Sequence, residues 1–185
     1  MSHVEGELRA VVVDGSLRVS DAHNVVLLRC LSGTIDVTDA STDTAALVQT
    51  VNGDIRMRRI SARSLQASSV SGNLSVADVT ANRLALKTTS GHVSYDGPLT
   101  PAGVYEFTSH AGNVDVVVAG QSGFELRAST FGGSARSTFK LDGPRGGRRR
   151  PGAEPRALRG TYGDASARIA ARSFSGDVTI RRRDD

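Results

Sequence analysis

One short phrase returns along the whole chain: a small polar residue, a glycine, then alternating apolar and polar residues. It reads VDGSLRV at 13–19, LSGTIDV at 31–37, VNGDIRM at 51–57, VSGNLSV at 70–76 and FSGDVTI at 174–180. Weaker copies are centred on Gly91, Gly112 and Gly133. The glycines Gly15, Gly33, Gly53, Gly72, Gly91, Gly112, Gly133 and Gly176 are 18, 20, 19, 19, 21, 21 and then 43 residues apart. A near-constant period of about twenty residues marks a repeat architecture and constrains the fold more than any other feature.

Aligned on their glycines, the copies form columns. Two residues after the glycine stand Leu17, Ile35, Ile55, Leu74, Val93, Val114, Ala135 and Val178; four after stand Val19, Val37, Met57, Val76, Tyr95, Val116, Ser137 and Ile180. The position between them is Arg18, Asp36, Arg56, Ser75, Ser94, Asp115, Arg136 and Thr179. Apolar–polar–apolar alternation is the period-two pattern of a strand with one buried face. A second strand precedes the glycine, with Leu8, Val26, Ala46, Leu65, Leu84, Tyr105, Leu126 and Ile169 seven positions before it. Five before stand Ala10, Leu28, Val48, Ala67, Leu86, Phe107, Ala128 and Ala171, and three before is a slot of small residues from Val12 and Cys30 to Ser173. A weaker apolar slot follows seven after the glycine: Ala22, Ala40, Ile60, Val79, Pro98 and Ala119.

One such repeat cannot bury its own apolar face. Stacking repeats about 4.8 Å apart brings each column onto itself and makes a continuous core. The pattern therefore predicts an all-β, single-stranded parallel β-solenoid of about seven to eight coils. The glycine is read as a corner, where it alone freely takes a left-handed or closely approached backbone. An antiparallel β-sandwich also shows strands at short, even spacing, but gives no reason for the same columns to recur. Eight aromatic residues, five Phe and three Tyr, with no Trp suit a narrow interior filled by small and β-branched side chains.

The period breaks once. Between Gly133 and Gly176 lies a segment rich in Arg, Gly and Pro, read as a flexible loop at 142–156 within a solenoid domain that takes in residues 1–185. Strand-like sequence flanks it at 134–141 and 157–162, predicting a strand pair, and a closing coil is expected at 165–183. The charged run Arg181-Arg182-Arg183-Asp184-Asp185 is assigned to protecting the open end of the stack. The chain's net charge is +4, and residues 141–160, with six arginines and two acids, hold all of it. The basic character is local.

The Ser-Gly-Asp/Asn phrase at this period, together with GFELRASTF at 123–131 and LRGTYGD at 158–164, resembles an adhesin-like family of bacterial β-strand-repeat proteins whose domain has no assigned function. The resemblance spans about residues 8–182. It implies a β-solenoid, and a place in the cell envelope or outside the cell. It brings no catalytic residues to transfer.

Candidate chemistry is sparse. Asp36, Asp54, Asp115 and Asp177 fall in two adjacent columns, and Arg18 and Arg56 flank Asp36, which predicts surface ion pairs rather than an acid–base site. His92 and His110 are expected one coil apart, but without a placed carboxylate or thiol they predict no metal site; His3 and His23 stand apart. Cys30, alone, fills a small core slot. Asn73-Leu74-Ser75 matches a glycosylation sequon, but its leucine lies in a core column. No Gly-Lys-Ser/Thr ending makes Gly143 to Gly147 a phosphate loop. Arg145, Arg148, Arg149 and Arg150 are the candidate contacts for an anionic ligand, with no aromatic among them to stack a base. No cofactor or metal is expected. No apolar run approaches the ~18 residues of a membrane span, and the first residues carry no signal-peptide pattern, leaving the compartment open.

These readings predict a non-enzymatic structural or adhesin-like solenoid, with a protein or surface polysaccharide as partner. The alternatives are an intracellular scaffold that self-associates through its terminal coils, and a binder of acidic glycans through the basic loop.

Overall fold

The structure is a computed structural model that describes residues 7–120, 122–143 and 155–183. Every regular element within them is a strand. Strands β1 (Leu8–Asp14) and β2 (Leu17–Ser20) flank Gly15, and β3 (Val25–Ser32) leads into Gly33. The long strands β4 (Ile35–Asn52) and β5 (Ile55–Ser71) each run round a bend from one glycine to the next. Then come β6 (Leu74–Ala77), β7 (Thr80–Ser90), β8 (Val93–Pro98), β9 (Val104–Ala111) and β10 (Val114–Ala119). The last five are β11 (Phe124–Thr130), β12 (Ala135–Ser137), β13 (Ala157–Tyr162), β14 (Ala167–Ser173) and β15 (Val178–Arg182).

The chain winds as a parallel β-solenoid with a leading face before each glycine and a trailing face after it. Pairing is in register, with equivalent columns opposite one another: Ile35 lies against Ile55, Ile55 against Leu74, and Leu74 against Val93. The inward columns bury almost completely, from Leu28, Val48 and Ile55 to Val116 and Ile180. Burying a Val, Leu or Ile side chain is worth about 1.5–3 kcal/mol, so this core is what holds the stack together. Two column assignments shift by one residue. Val25, not Val26, is buried in the second turn, where Asn24 takes a positive φ of 56° and the β1–β3 register slips. In the fifth turn Leu99 fills the seat expected of Pro98, which is exposed.

The second corner of each early turn is made six residues after the glycine. Asp21, Asp39, Arg59 and Asp78 take φ of 51°, 55°, 52° and 51° there. Arg59 donates two hydrogen bonds of 2.6 Å to Asp39 one level away. This holds the Asp39 carboxyl below its ordinary range.

The order of the stack departs from the order of the chain. The uninterrupted winding is six turns, from Gly15 to Gly112, rather than seven or eight consecutive coils. The seventh level is the last in sequence: β14 pairs with β9, and β15 with β10. The eighth level is the earlier pair, with β11 beyond β14 and β12 beyond β15. The expected closing coil is thus an interior layer. The stack is instead capped by β13, which runs antiparallel along β11. The anticipated pairing of residues 134–141 with 157–162 does not form: β12 pairs with β15 and β13 with β11, and only the adjoining Asp142 bridges Thr161. The reason lies in edge satisfaction. In the gap, β14 finds partners on both sides, and β13 covers the edge that would otherwise stand open.

Two arginines of the charged run are tied into the stack, while Asp184 and Asp185 lie outside the described residues. Arg183 reaches Asp96 at 2.7 Å and Asp78 at 3.0 Å, tying the seventh level to the fourth and fifth turns. Arg182 lies over the rings of Phe139 and Tyr162, at 5.3 and 5.6 Å from their centroids. Those two rings and Phe124 close the core at the eighth level, with centroid separations of 4.9 to 5.6 Å.

Candidate functional site

The glycine corner comes first, because it fixes what the neighbouring columns can do. From Gly33 to Gly112 the corner glycines have φ between 137° and 156°. A Cβ on any of them would overlap the carbonyl of the glycine one level below. Gly15, at the first level, has φ 118° but nothing within 4 Å. This packing reproduces the out-of-order stack. Gly176 sits on Gly112, and Gly133 sits on Gly176.

So close an approach aims each glycine carbonyl at the core, where it needs a donor. The slot three residues before the next glycine supplies it, except at Thr50, whose hydroxyl has no partner among the described residues. Ser69 donates to the Gly53 carbonyl at 3.2 Å, Thr88 to Gly72 at 3.1 Å and Ser109 to Gly91 at 2.9 Å. Ser173 donates to Gly112 at 2.8 Å and Thr130 to Gly176 at 2.6 Å. Cys30, fully buried, fills the same place with a weaker thiol contact of 3.4 Å to Gly15. Sequence reading took this column as merely small. The recurrence of Thr and Ser, rather than Ala, was the sign of a donor.

The column just after the glycine forms a second ladder. Asp54 accepts from the Asn73 amide at 2.9 Å, and Asn73 accepts from the His92 amide at 3.0 Å. His92 accepts through Nδ1 from the Asn113 amide at 3.0 Å, and this requires the proton on Nε2. Asn113 accepts from Asp177 at 3.0 Å, and Asp177 from Ser134 at 2.8 Å. The Ser134 amide and hydroxyl hold the Asp177 carboxyl below its ordinary range. Asp54, Asn73, His92, Asn113 and Asp177 each spend an acceptor on the next level's backbone.

The remaining candidates are scattered. Asp36 meets Arg18 at 3.8 Å, while Arg56 turns to Asp54 at 3.4 Å. Asp115 lies between Ser94 and Thr179. His23 bonds Ser41 at 2.8 Å. His110 stacks on Phe174, not on His92. Among the described residues no three His, Cys, Asp or Glu side chains gather as a metal would need. Arg145, Arg148, Arg149 and Arg150 lie outside the described residues, as does His3.

What sequence reading passed over is the outward side of the leading face. Seven large apolar side chains are well exposed among the described residues. Six of them stand two positions before a corner glycine: Val13, Leu31, Val51, Val70, Phe174 and Phe131. The seventh, Val11, is two residues before Val13 on the same face. Thr89 and His110 complete the column between Val70 and Phe174. Its last three members are parallel rings. His110 and Phe174 stack at 4.8 Å with 9° between planes, and Phe174 and Phe131 at 5.0 Å with 5°. Beside the rings runs an open groove of about 480 Å³, lined by Lys87, Thr89, Thr108, His110, Arg172 and Phe174. The column was visible as the apolar residue that opens each of the clear phrases, from Val13 to Phe174.

A protein-family model described as Toastrack DUF4097 matches residues 6–181. The chain belongs to the Toastrack DUF4097 family. Neither a curated protein nor a solved structure matches it. The Toastrack domain is one of unknown function, and the match spans all eight levels and the β13 cap. No helix among the described residues is long and apolar enough to cross a membrane.

Proposed function

We propose that this Toastrack domain is a non-enzymatic, adhesin-like structural module of the cell envelope, which holds a partner against the outward side of its leading face. The observation that carries the reading is the apolar column. Exposed apolar side chains usually scatter singly over a surface, and a contiguous line of them marks an interaction site. Arg29, Lys87 and Arg172 stand in the neighbouring column, so the partner is apolar where it touches the ridge and carries acidic groups beside it. The non-enzymatic part is supported by the turn-exit ladder, whose Asp, Asn and His acceptors are committed to the backbone. The envelope location rests on the sequence resemblance.

Binding of the labelled domain to intact bacterial cells and to arrays of surface polysaccharides and proteins tests this. The wild-type domain is retained, and Leu31→Asp with Val51→Asp lowers retention about tenfold or more. No retention on any surface, or equal retention of the variant, overturns the proposal. So does turnover of an arrayed polymer. Regular filaments in electron micrographs would replace it with the self-assembling scaffold.

A further inference from the structure

The outward column changes character at Thr89. On one side stand aliphatic residues ending in Val70; on the other stand His110, Phe174 and Phe131 as a stack of parallel rings. Rings stacked this way cover one another's faces and show the surroundings mainly their edges. One face left bare is that of His110 turned towards Thr89, because threonine is too small to cover an imidazole. That face opens on the groove beside the column. Neither ring nitrogen of His110 is hydrogen-bonded among the described residues, and the Lys87 and Arg172 side chains have no hydrogen bond or ion pair there.

We propose that this groove is a binding site for a small planar aromatic anion. The ligand's ring lies over Thr89 and continues the stack on His110, and its anionic group is held by Lys87 and Arg172. Three features lead there. The stack is spaced at 4.8 and 5.0 Å, within the range of favourable ring pairs, so one more ring over Thr89 keeps its rhythm. Lys87 is two residues from Thr89 on the same strand face, and Arg172 stands two levels along the same column, with Thr108 between them. The one acid nearby, Glu106, stands two residues before Thr108, on the far side of the Lys87–Arg172 row from the rings. A guanidinium and an ammonium without partners among the described residues favour a carboxylate or phosphate. A saturated ring would lose the flat contact with His110. A polysaccharide laid along the column would meet ring edges, where sugar stacking gains least. The site occupies three levels, which suits a small molecule.

Two probes carry the shared chemistry from different sources: 2-naphthoate as an aromatic acid and adenosine monophosphate as a nucleotide. Titrated into the full chain and followed by NMR, at least one saturably shifts Thr89 and His110. The tighter of the two names the source. Cyclohexanecarboxylate and 2-naphthylmethylamine, lacking the flat ring and the negative charge respectively, bind about tenfold more weakly. Thr89→Phe fills the space with a residue the column already tolerates, and it abolishes binding while the amide spectrum stays folded. Thr89→Ala keeps binding, and Lys87→Gln with Arg172→Gln weakens it about tenfold. Binding that survives Thr89→Phe overturns the proposal, as does equal affinity for cyclohexanecarboxylate or silence from both aromatic anions. Leu31 and Val51 lie outside the groove, so failure here and failure of the adhesive reading are separable.

Discussion

The first six turns and the last two levels are built from the same phrase but assembled differently. From Gly15 to Gly112 each turn stacks on the one just made, and the interior holds no aromatic ring before Tyr95. All eight aromatic residues lie from Tyr95 onward. There the chain passes over a level, builds β11 and β12, turns back through β13, and fills the vacant layer with β14 and β15. A parallel stack has no preference for chain order, since every interface asks only that columns match. Connections set the order. Residues 120–123 span at most about 13 Å when extended, more than the ~9.6 Å of two levels, so passing over a level is within reach.

Removing one layer from each region gives the largest contrast. Deleting residues 165–183 takes out β14 and β15, leaving β9, β10, β11 and β12 without their neighbours in the interior. It also removes Arg183 and its ties to Asp78 and Asp96. The expected outcome is loss of cooperative unfolding, measured by calorimetry, with β11–β13 detached. Deleting residues 1–21 exposes only the next level of the same stack, and a cooperative transition survives at a lower temperature. Equal effects from the two deletions would count against an interior place for the final strands.

A finer contrast lies within the glycine column. A Cβ at residue 72 would overlap the Gly53 carbonyl, and φ there is 156°. Gly72→Ala must push two levels apart, with an expected cost above ~4 kcal/mol, in the exceptional range for a point substitution. Gly15→Ala meets no atom and bears only backbone strain, about 1–3 kcal/mol. Chemical denaturation of the two variants measures the difference. Comparable costs would mean that conformation, not close approach, selects glycine at the corner.

Columns were legible in the sequence because alternation and glycine spacing are local signals that burial reads directly. Leu17, Ile35, Ile55 and Leu74 could hardly be placed elsewhere. The order of the last levels was not legible. The phrase FSGDVTI fits any level equally well, and nothing within it says that Gly176 rests on Gly112 rather than on Gly133. The outward column escaped for another reason. Its residues sit beside the glycine in the phrase itself, so Val51 and Val70 read as part of the corner, although period two turns them outward from Thr50 and Ser69. The tautomer of His92 and the donor role of the threonines depend on neighbours about twenty residues away in sequence.

The smallest contrast concerns those threonines. Thr88 gives its hydroxyl to the Gly72 carbonyl at 3.1 Å, while Thr50, also buried and in the same column, has no partner for its hydroxyl among the described residues. Valine matches threonine in shape. Thr88→Val therefore leaves a buried carbonyl without its donor and costs about 1–3 kcal/mol. Thr50→Val removes a hydroxyl that gains nothing from burial, so it is neutral or stabilising by up to about 1 kcal/mol. Urea titrations of the two variants give the comparison its sign. If Thr50→Val destabilises as much as Thr88→Val, the Thr50 hydroxyl has a partner after all, and the donor column runs unbroken from Cys30 in the second turn to Ser109 in the sixth rather than skipping the third.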